Sequence, residues 1–518
     1  MAFPPDPGRT SRGALPRVSS RAARSRWVRS RWVRSRWARS RLGARRCSRW
    51  VALAGVIAAR PLPASGSEAA PAAPTEPAGG TARGVGATPD GFDPRRRLGE
   101  GELAEKPEGG YFTGLPLVNY DTNTGWGLGA RGYYFFDGER SDPRFAYTPY
   151  LYRVFLQAFA TTGGYQFHWL DVDARNVLGS PFTFRGALLF QRNIDQHYFG
   201  VGSRSMQRLS FSGYEPGFDD YESYQAALDR VDSAGFTPAR YNSYQLTQPM
   251  LLLAIERPLL RGVLRPLLGV GVSYNDVEDY TGARVSVEVG GEEVRATQGP
   301  TRLSEDCAAG AIVGCGGGWN NFLRLGLAFD TRDFEPDPNR GVLIDAALDL
   351  GTLLLGSEYR WARGMVAARS YLSLLPSVTD LVLATRVTFV VQSSDTPFFA
   401  MNWIPYLEDP RQGLGGLRTL RGYKQDRFVG PVMTMANAEL RWTFARSEPF
   451  GQRFAWMVVP FVDAGRVDDR VRDIELDGLK ANLGLALRAA WNLATIITVE
   501  YAQSDEDSGV YVNFNHIF

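Results

Sequence analysis

From Phe322 to Asp330 the chain alternates large apolar residues with small or polar ones. Leu323, Leu325, Leu327 and Phe329 stand against Arg324, Gly326, Ala328 and Asp330. The same period of two runs from Leu479 to Trp491, where Ala481, Leu483, Leu485, Leu487, Ala489 and Trp491 oppose Asn482, Gly484, Ala486 and Arg488. From Val432 to Phe444, Ala436, Ala438, Leu440, Trp442 and Phe444 oppose Asn437, Glu439, Arg441 and Thr443. Successive side chains of a strand point to opposite faces, so this period predicts strands with one apolar and one polar or small face. A single such strand would suit a soluble sandwich. Fifteen of them without intervening helices predict one large barrel: 125–136, 145–159, 164–175, 181–192, 241–257, 264–275, 321–330, 341–353, 360–373, 380–392, 432–444, 454–464, 480–490, 494–503 and 509–518. Bacterial barrels have an even number of strands, and residues 193–240 are long enough to hold one more. The predicted fold is all-β, a 16-stranded antiparallel transmembrane β-barrel. Trp126, Tyr133, Trp361 and Trp442 lie near strand ends, where they suit interfacial girdles. In the last segment Val510, Val512, Phe514 and Phe518 share a face, and Phe514 and Phe518 read as a C-terminal insertion signal.

No helix is predicted to cross a bilayer. The longest uncharged apolar run, Val51–Ala59, is nine residues, where a span needs about 20. A chain that crosses with strands must close them into a barrel, which alone satisfies every backbone N–H and C=O without water. The slightly negative mean hydropathy agrees, because lipid-facing and lumen-facing residues average out.

Charge divides the chain. Residues 1–60 hold 16 Arg and one acid, Asp6, which leaves 42 bases and 54 acids in the remainder. That balance argues against a nucleic-acid partner. Residues 1–66 are expected to be an Arg-rich leader and signal peptide: a repeat over Ser25–Arg29, Ser30–Arg34 and Ser35–Arg39, then the apolar run, then Ala64-Ser65-Gly66. Residues 67–110, rich in Pro, Ala and Gly, are expected to be a disordered periplasmic linker. The barrel then occupies 111–518. Cys47 falls in the leader, whereas Cys307 and Cys315 lie eight apart in a Gly-rich loop. A loop disulfide suits an oxidising envelope compartment, and two free thiols are the alternative.

Between the strands at 380–392 and 432–444 lies Gly413-Leu414-Gly415-Gly416-Leu417-Arg418-Thr419-Leu420-Arg421-Gly422-Tyr423. Its end, Arg421-Gly422-Tyr423, resembles the Arg-Gly-Phe/Tyr loop of the BamA/TamA outer-membrane assembly-factor superfamily, the bacterial surface antigen family. The resemblance implies a long loop folded into the lumen, whose Arg meets a strand motif Phe-x-Asp-x-Gly. That motif stands here as Phe461-Val462-Asp463-Ala464-Gly465. Alternation independently puts Phe461 and Asp463 opposite Trp456, Val458 and Val462, hence on the lumen side. An Asp there can pair with an inserted Arg in a charge-assisted, bidentate fashion. Asp330-Thr331-Arg332-Asp333 followed by Pro338-Asn339-Arg340-Gly341 resembles a turn motif of the same superfamily, and Tyr198-Phe199-Gly200-Val201-Gly202 a segment of its shorter members. The resemblance covers roughly 110–518. Nothing between the leader and Tyr111 resembles a POTRA repeat, so the chain reads as a POTRA-less member.

Catalytic chemistry is not predicted. His168, His197 and His516 are the only histidines, and no Ser-His-acid spacing, Gly-x-Ser-x-Gly or Walker A motif occurs. No enzyme activity, cofactor or metal is expected. Asp171 and Asp173 share a strand face, which a solvated lumen or rim explains; Glu215, Asp219, Asp220 and Glu222 form an acidic loop, for which a charged surface and divalent-ion binding are equal readings. The resemblance implies help with insertion or translocation of proteins, or lipids, at the bacterial outer membrane, through a weak seam between strands 125–136 and 509–518. The implied partners are outer-membrane lipid, unfolded barrel or secreted clients, and a separate periplasmic subunit. A passive plugged pore or transporter and a surface-display barrel are the rivals.

Overall fold

The computed structural model describes residues 96–99, 103 and 106–518, except 122–123, 336, 408–410, 450–452 and 492–494. The leader, the signal peptide, Cys47 and the expected linker as far as residue 95 lie outside the described residues.

Sixteen long strands make the wall: β1 (Gly109–Asp121), β2 (Gly125–Gly138), β3 (Tyr152–Thr161), β4 (Gln166–Ala174), β5 (Thr183–His197), β6 (Ser243–Glu256), β7 (Leu264–Asp279), β8 (Phe322–Asp330), β9 (Gly341–Gly351), β10 (Trp361–Ser373), β11 (Asp380–Gln392), β12 (Val432–Ser447), β13 (Phe454–Asp468), β14 (Lys480–Trp491), β15 (Thr495–Ser504) and β16 (Ser508–Phe514). Each pairs antiparallel with its neighbour in sequence, β1 with β2 through to β15 with β16. Among the described residues β1 pairs only with β2 and β16 only with β15.

The sixteenth strand is not where spacing placed it. It is β1, ahead of the first predicted strand, within a stretch whose Gly and Pro residues mask the alternation. Residues 198–242 instead carry a short hairpin (Leu209–Phe211 with Tyr214–Phe218) and helix α1 (Tyr221–Leu228). The strand expected at 145–159 begins at Tyr152, because Pro143–Ala146 forms a 3-10 turn. The predicted last strand, 509–518, is β16, but 125–136 is the second strand of the wall and β1 is the first.

Alternation does fix which face is out. Leu325, Leu327, Phe329, Leu483, Leu485 and Leu487 are exposed on the outer wall, while Arg324, Asp330, Asn482 and Arg488 are buried inside. Of the expected girdle, Trp126 and Trp442 are exposed, but Trp361 is buried and Tyr133 stacks on the buried Phe135.

The interior is not a polar channel throughout. Residues 393–431, between β11 and β12, fold in and pack Tyr406, Leu407, Leu414, Leu420, Tyr423 and Phe428 against Leu343, Met365, Val390, Met433 and Val467 of the wall. This is the core of the molecule. Each large apolar side chain fully buried there contributes roughly 1.5–3 kcal/mol.

Strand direction places the loops 198–242, 280–321 and 393–431 at one end of the wall. The first two fold together: Phe236–Thr237 pairs with Thr297–Gln298. Helix α2 (Arg302–Ala308) has its first turn closed by a capping box of Thr301 and Ser304, and Cys307 is disulfide-bonded to Cys315. Asp220 likewise caps α1, accepting from the Ser223 N–H at 2.7 Å.

The other end has short turns and is crossed by the segment preceding β1. Leu98 N–H donates to Ala146 O at 2.8 Å, the buried Lys106 ammonium donates to Phe145 O and Thr148 O at 2.8 and 2.7 Å, and Arg96 pairs with Asp330 at 2.8 Å. At its described residues from Arg96 on, the stretch expected to be disordered linker is packed.

Candidate functional site

Arg421 is fully buried in the lumen. Its Nε and Nη2 donate to Asp463 Oδ2 and Oδ1 at 2.9 and 2.8 Å, the bidentate geometry that a planar guanidinium offers a carboxylate. Nη1 donates to Glu439 Oε1 at 2.9 Å and Glu500 Oε2 at 3.0 Å. The guanidinium carbon lies 3.2 Å from the centre of the Phe461 ring. Burial works against the charge, yet Asp463 first, then Glu439 and Glu500, hold the Arg421 pKa above the ordinary arginine value.

The network extends along the inner wall. Glu439 also accepts from Arg488 at 2.7 and 2.8 Å and from Arg441 Nε at 2.9 Å. Asp463 accepts from Asn437 at 2.8 Å and Asn482 at 2.9 Å. Three carboxylates thus face three guanidiniums with their hydrogen bonds shared, the condition under which buried charge is tolerated.

Both neighbours of Arg421 in the predicted motif have a physical reason. A β carbon on Gly422 would stand 2.6 Å from Asn482 Cβ and 2.8 Å from Ser504 N, so only glycine lets the loop backbone run against β14 and β15. Tyr423 donates to Asp505 at 2.6 Å, beyond the end of β15. Gly465 lies beneath Leu414 and Leu420, whose methyl carbons would be 3.3 and 3.5 Å from a β carbon there.

The turn motif forms a second centre at the short-turn end. Asp330 is fully buried and accepts from Arg332 Nη2 at 2.9 Å, with Arg265 at 3.3 Å and Arg96 at 2.8 Å. Asp333 Oδ1 accepts the N–H groups of Phe334, Asn339 and Arg340 at 2.9, 3.0 and 3.2 Å, which folds the turn. Gly341 closes it at φ 108°, a left-handed backbone that favours glycine. The turn also reaches across the mouth: Glu335 pairs with Arg175 and Arg265, and Asp337 with His516.

Phe518 is not placed as expected. β16 ends at Phe514, whose side chain is outside the described residues, and residues 515–518 leave the sheet. Phe518 is buried beside Tyr371, Val382, Ala384 and Ile517 instead of continuing the face of Val510 and Val512. Asn515 turns the chain at φ 64°, a local break that alternation does not register.

Sequence reasoning missed Glu439, Arg441, Arg488 and Glu500 as site residues. The signal was present, since charged residues recurring at the lumen parity of strands otherwise apolar need partners. Asp171 pairs with Arg153 at 2.6 Å and Asp173 accepts from Tyr150 at 3.2 Å, so both are wall residues. Among the described residues no group of three or more His, Cys, Asp or Glu is arranged to hold a metal ion.

Residues 195–516 match the family described as the Omp85 superfamily domain, and residues 88–151 match a domain of unknown function, DUF5982. No curated protein matches the chain. Among solved structures, BamA from Haemophilus ducreyi lacking POTRA domains 1–3 is 13% identical, covers 79% of this chain and 69% of its own, with a TM-score of 0.42. CdiB from Escherichia coli is 11% identical, covers 78% of this chain and 62% of its own, with a TM-score of 0.43. CdiB from Acinetobacter baumannii is 10% identical, covers 78% and 59%, with a TM-score of 0.39.

Proposed function

Because the chain belongs to the Omp85 superfamily, we propose that it is an outer-membrane barrel that assists the insertion or translocation of proteins, or of lipids, at that membrane. The short-turn end then faces the periplasm and the disulfide-bearing loops face outward. The observation that supports this most is the pair of free edges. Among the described residues, the outer edges of β1 and β16 carry no strand pairing, and unpaired N–H and C=O groups are a template for an incoming strand. The loop anchored by Arg421 keeps the wall in shape while that seam is open.

Outer-membrane lipid is the first partner, with Phe112 of β1 turned outward at 81% exposure. Unfolded barrels or secreted chains are the proposed clients, and a separate periplasmic subunit would deliver them. Phe514 and Phe518 remain proposed as the insertion signal; removing Phe518 should lower the level of the protein in the outer membrane.

Deleting the gene and quantifying the purified outer membrane tests the assembly role. A selective fall in other barrels is expected, and an unchanged outer-membrane proteome would overturn it. In that case the folded cap of 198–242 and 280–321 favours a surface-display barrel.

A further inference from the structure

The four residues after β16 are held in a way that the seam reading does not require. Asn515 N–H donates to Ile496 O at 2.8 Å and the chain then turns into the lumen. A main-chain oxygen of each of the next three residues is met by an arginine. His516 O accepts from Arg418 Nη1 at 3.3 Å, Ile517 O from Arg386 Nη1 at 3.0 Å, and Phe518 O from Arg441 Nη2 at 2.8 Å. The guanidiniums of Arg386 and Arg441 also lie 4.9 and 5.4 Å from the centre of the Phe518 ring. His516 Nδ1 faces Arg488 Nη1 at 2.7 Å and Nε2 faces Asp337 at 2.8 Å. Arg488 can only donate, so Nδ1 accepts and Nε2–H donates to the carboxylate, which is the neutral tautomer.

These arginines are shared with the lumen loop. Arg418 belongs to that loop, and Arg386 Nη2 donates to Arg418 O at 2.8 Å. Arg441 and Arg488 bind Glu439, which Arg421 also binds. β16 itself touches the motif, because Tyr511 donates to Arg421 O at 2.9 Å and Asn513 Oδ1 accepts from Arg418 at 3.3 Å. Withdrawing residues 515–518 would leave buried donors of Arg386 and Arg441 without those acceptors, and such losses propagate through a connected network.

We propose that residues 515–518 are a latch that couples the free edge of β16 to the lumen loop. Docked, the latch holds Arg386, Arg441 and Arg488 where they support the loop. When β16 moves, the latch is drawn out and the loop is released. This coupling rests on the edge reading of β16 for its purpose, but its test reads only the coupling, so it can fail while the assembly role stands.

The test is trypsin cleavage of the folded full chain at Arg418, Arg421, Lys424 and Arg427, read by mass spectrometry. Deleting residues 516–518 should speed cleavage in the loop about tenfold, since cleavage follows the population of the open form. Because that variant could fail to fold, the second is Ile517→Cys with Ala384→Cys, two fully buried positions of one cluster. Once its disulfide is complete, loop cleavage should fall below the natural rate, and reduction should restore it. Equal rates with and without the completed disulfide, or an unchanged rate in a folded deletion variant, would overturn the latch.

Discussion

Arg421 ties three buried carboxylates together in the lumen. Arg421→Ala leaves Asp463 and Glu500 buried beside the space of a lost cation, a loss of roughly 3–5 kcal/mol. The transition at which the compact band is lost in a heat-modifiability gel should fall clearly, and an unchanged transition would rule out the lumen lock. His516 gives a pH dependence. Burial, then Arg441 and Arg488, lower its pKa to about 4 from the ordinary 6.5. Between those values the unfolded chain takes up a proton that the folded one refuses, so stability is full above about 6.5 and falls as pH drops toward 4. His516→Gln should flatten that part of the heat-modifiability profile, and an identical slope would remove His516 as its source.

Elements were legible in the sequence to the extent that their geometry was regular. Strands such as β8, β12 and β14 follow strict alternation, and their lumen and lipid faces come out as read. β1 was missed because Gly109, Gly110, Gly114 and Pro116 dilute its pattern, and the cap was misread as a hidden strand because its helix is only Tyr221–Leu228. The Arg421–Asp463 pair was readable from two motifs in order, while Glu500 and Arg488 were legible as lumen charges but not as its partners, since which lumen residues meet depends on register across strands. Two outcomes belong to this scale. Gly422→Ala forces the loop away from β14 and β15, so trypsin should cut the loop faster; an unaltered rate would show that the backbone can give. Reducing Cys307–Cys315 removes a short cross-link worth roughly 2–3 kcal/mol to the cap. Hydrogen exchange in 280–321 should rise while the barrel's gel transition stays where it was, and a shifted transition would mean that cap and wall unfold together.

For the whole molecule the apolar filling of the lumen is decisive. A loop packed as a core, with Leu420 and Phe428 fully buried, fills the lumen beside Leu343, Met365, Val390, Met433 and Val467 of the wall. In planar bilayers the full chain should show no stable open channel, whereas deletion of 413–428 should give one. Steady conductance by the unaltered chain would favour the pore reading.

Arg96 and Asp330 are 234 positions apart in sequence, yet their side chains meet. That contact needs Asp330 in place, and Asp330 is set by the pairing of β8 with β7 and β9. Within the segment ahead of β1, Leu98 and Lys106 need only residues 145–148 for their contacts, whereas Arg96 waits for a partner far along the chain. A probe placed at Arg96 is therefore expected to time the arrival of β8 in the wall, later than a probe placed at Lys106 would respond.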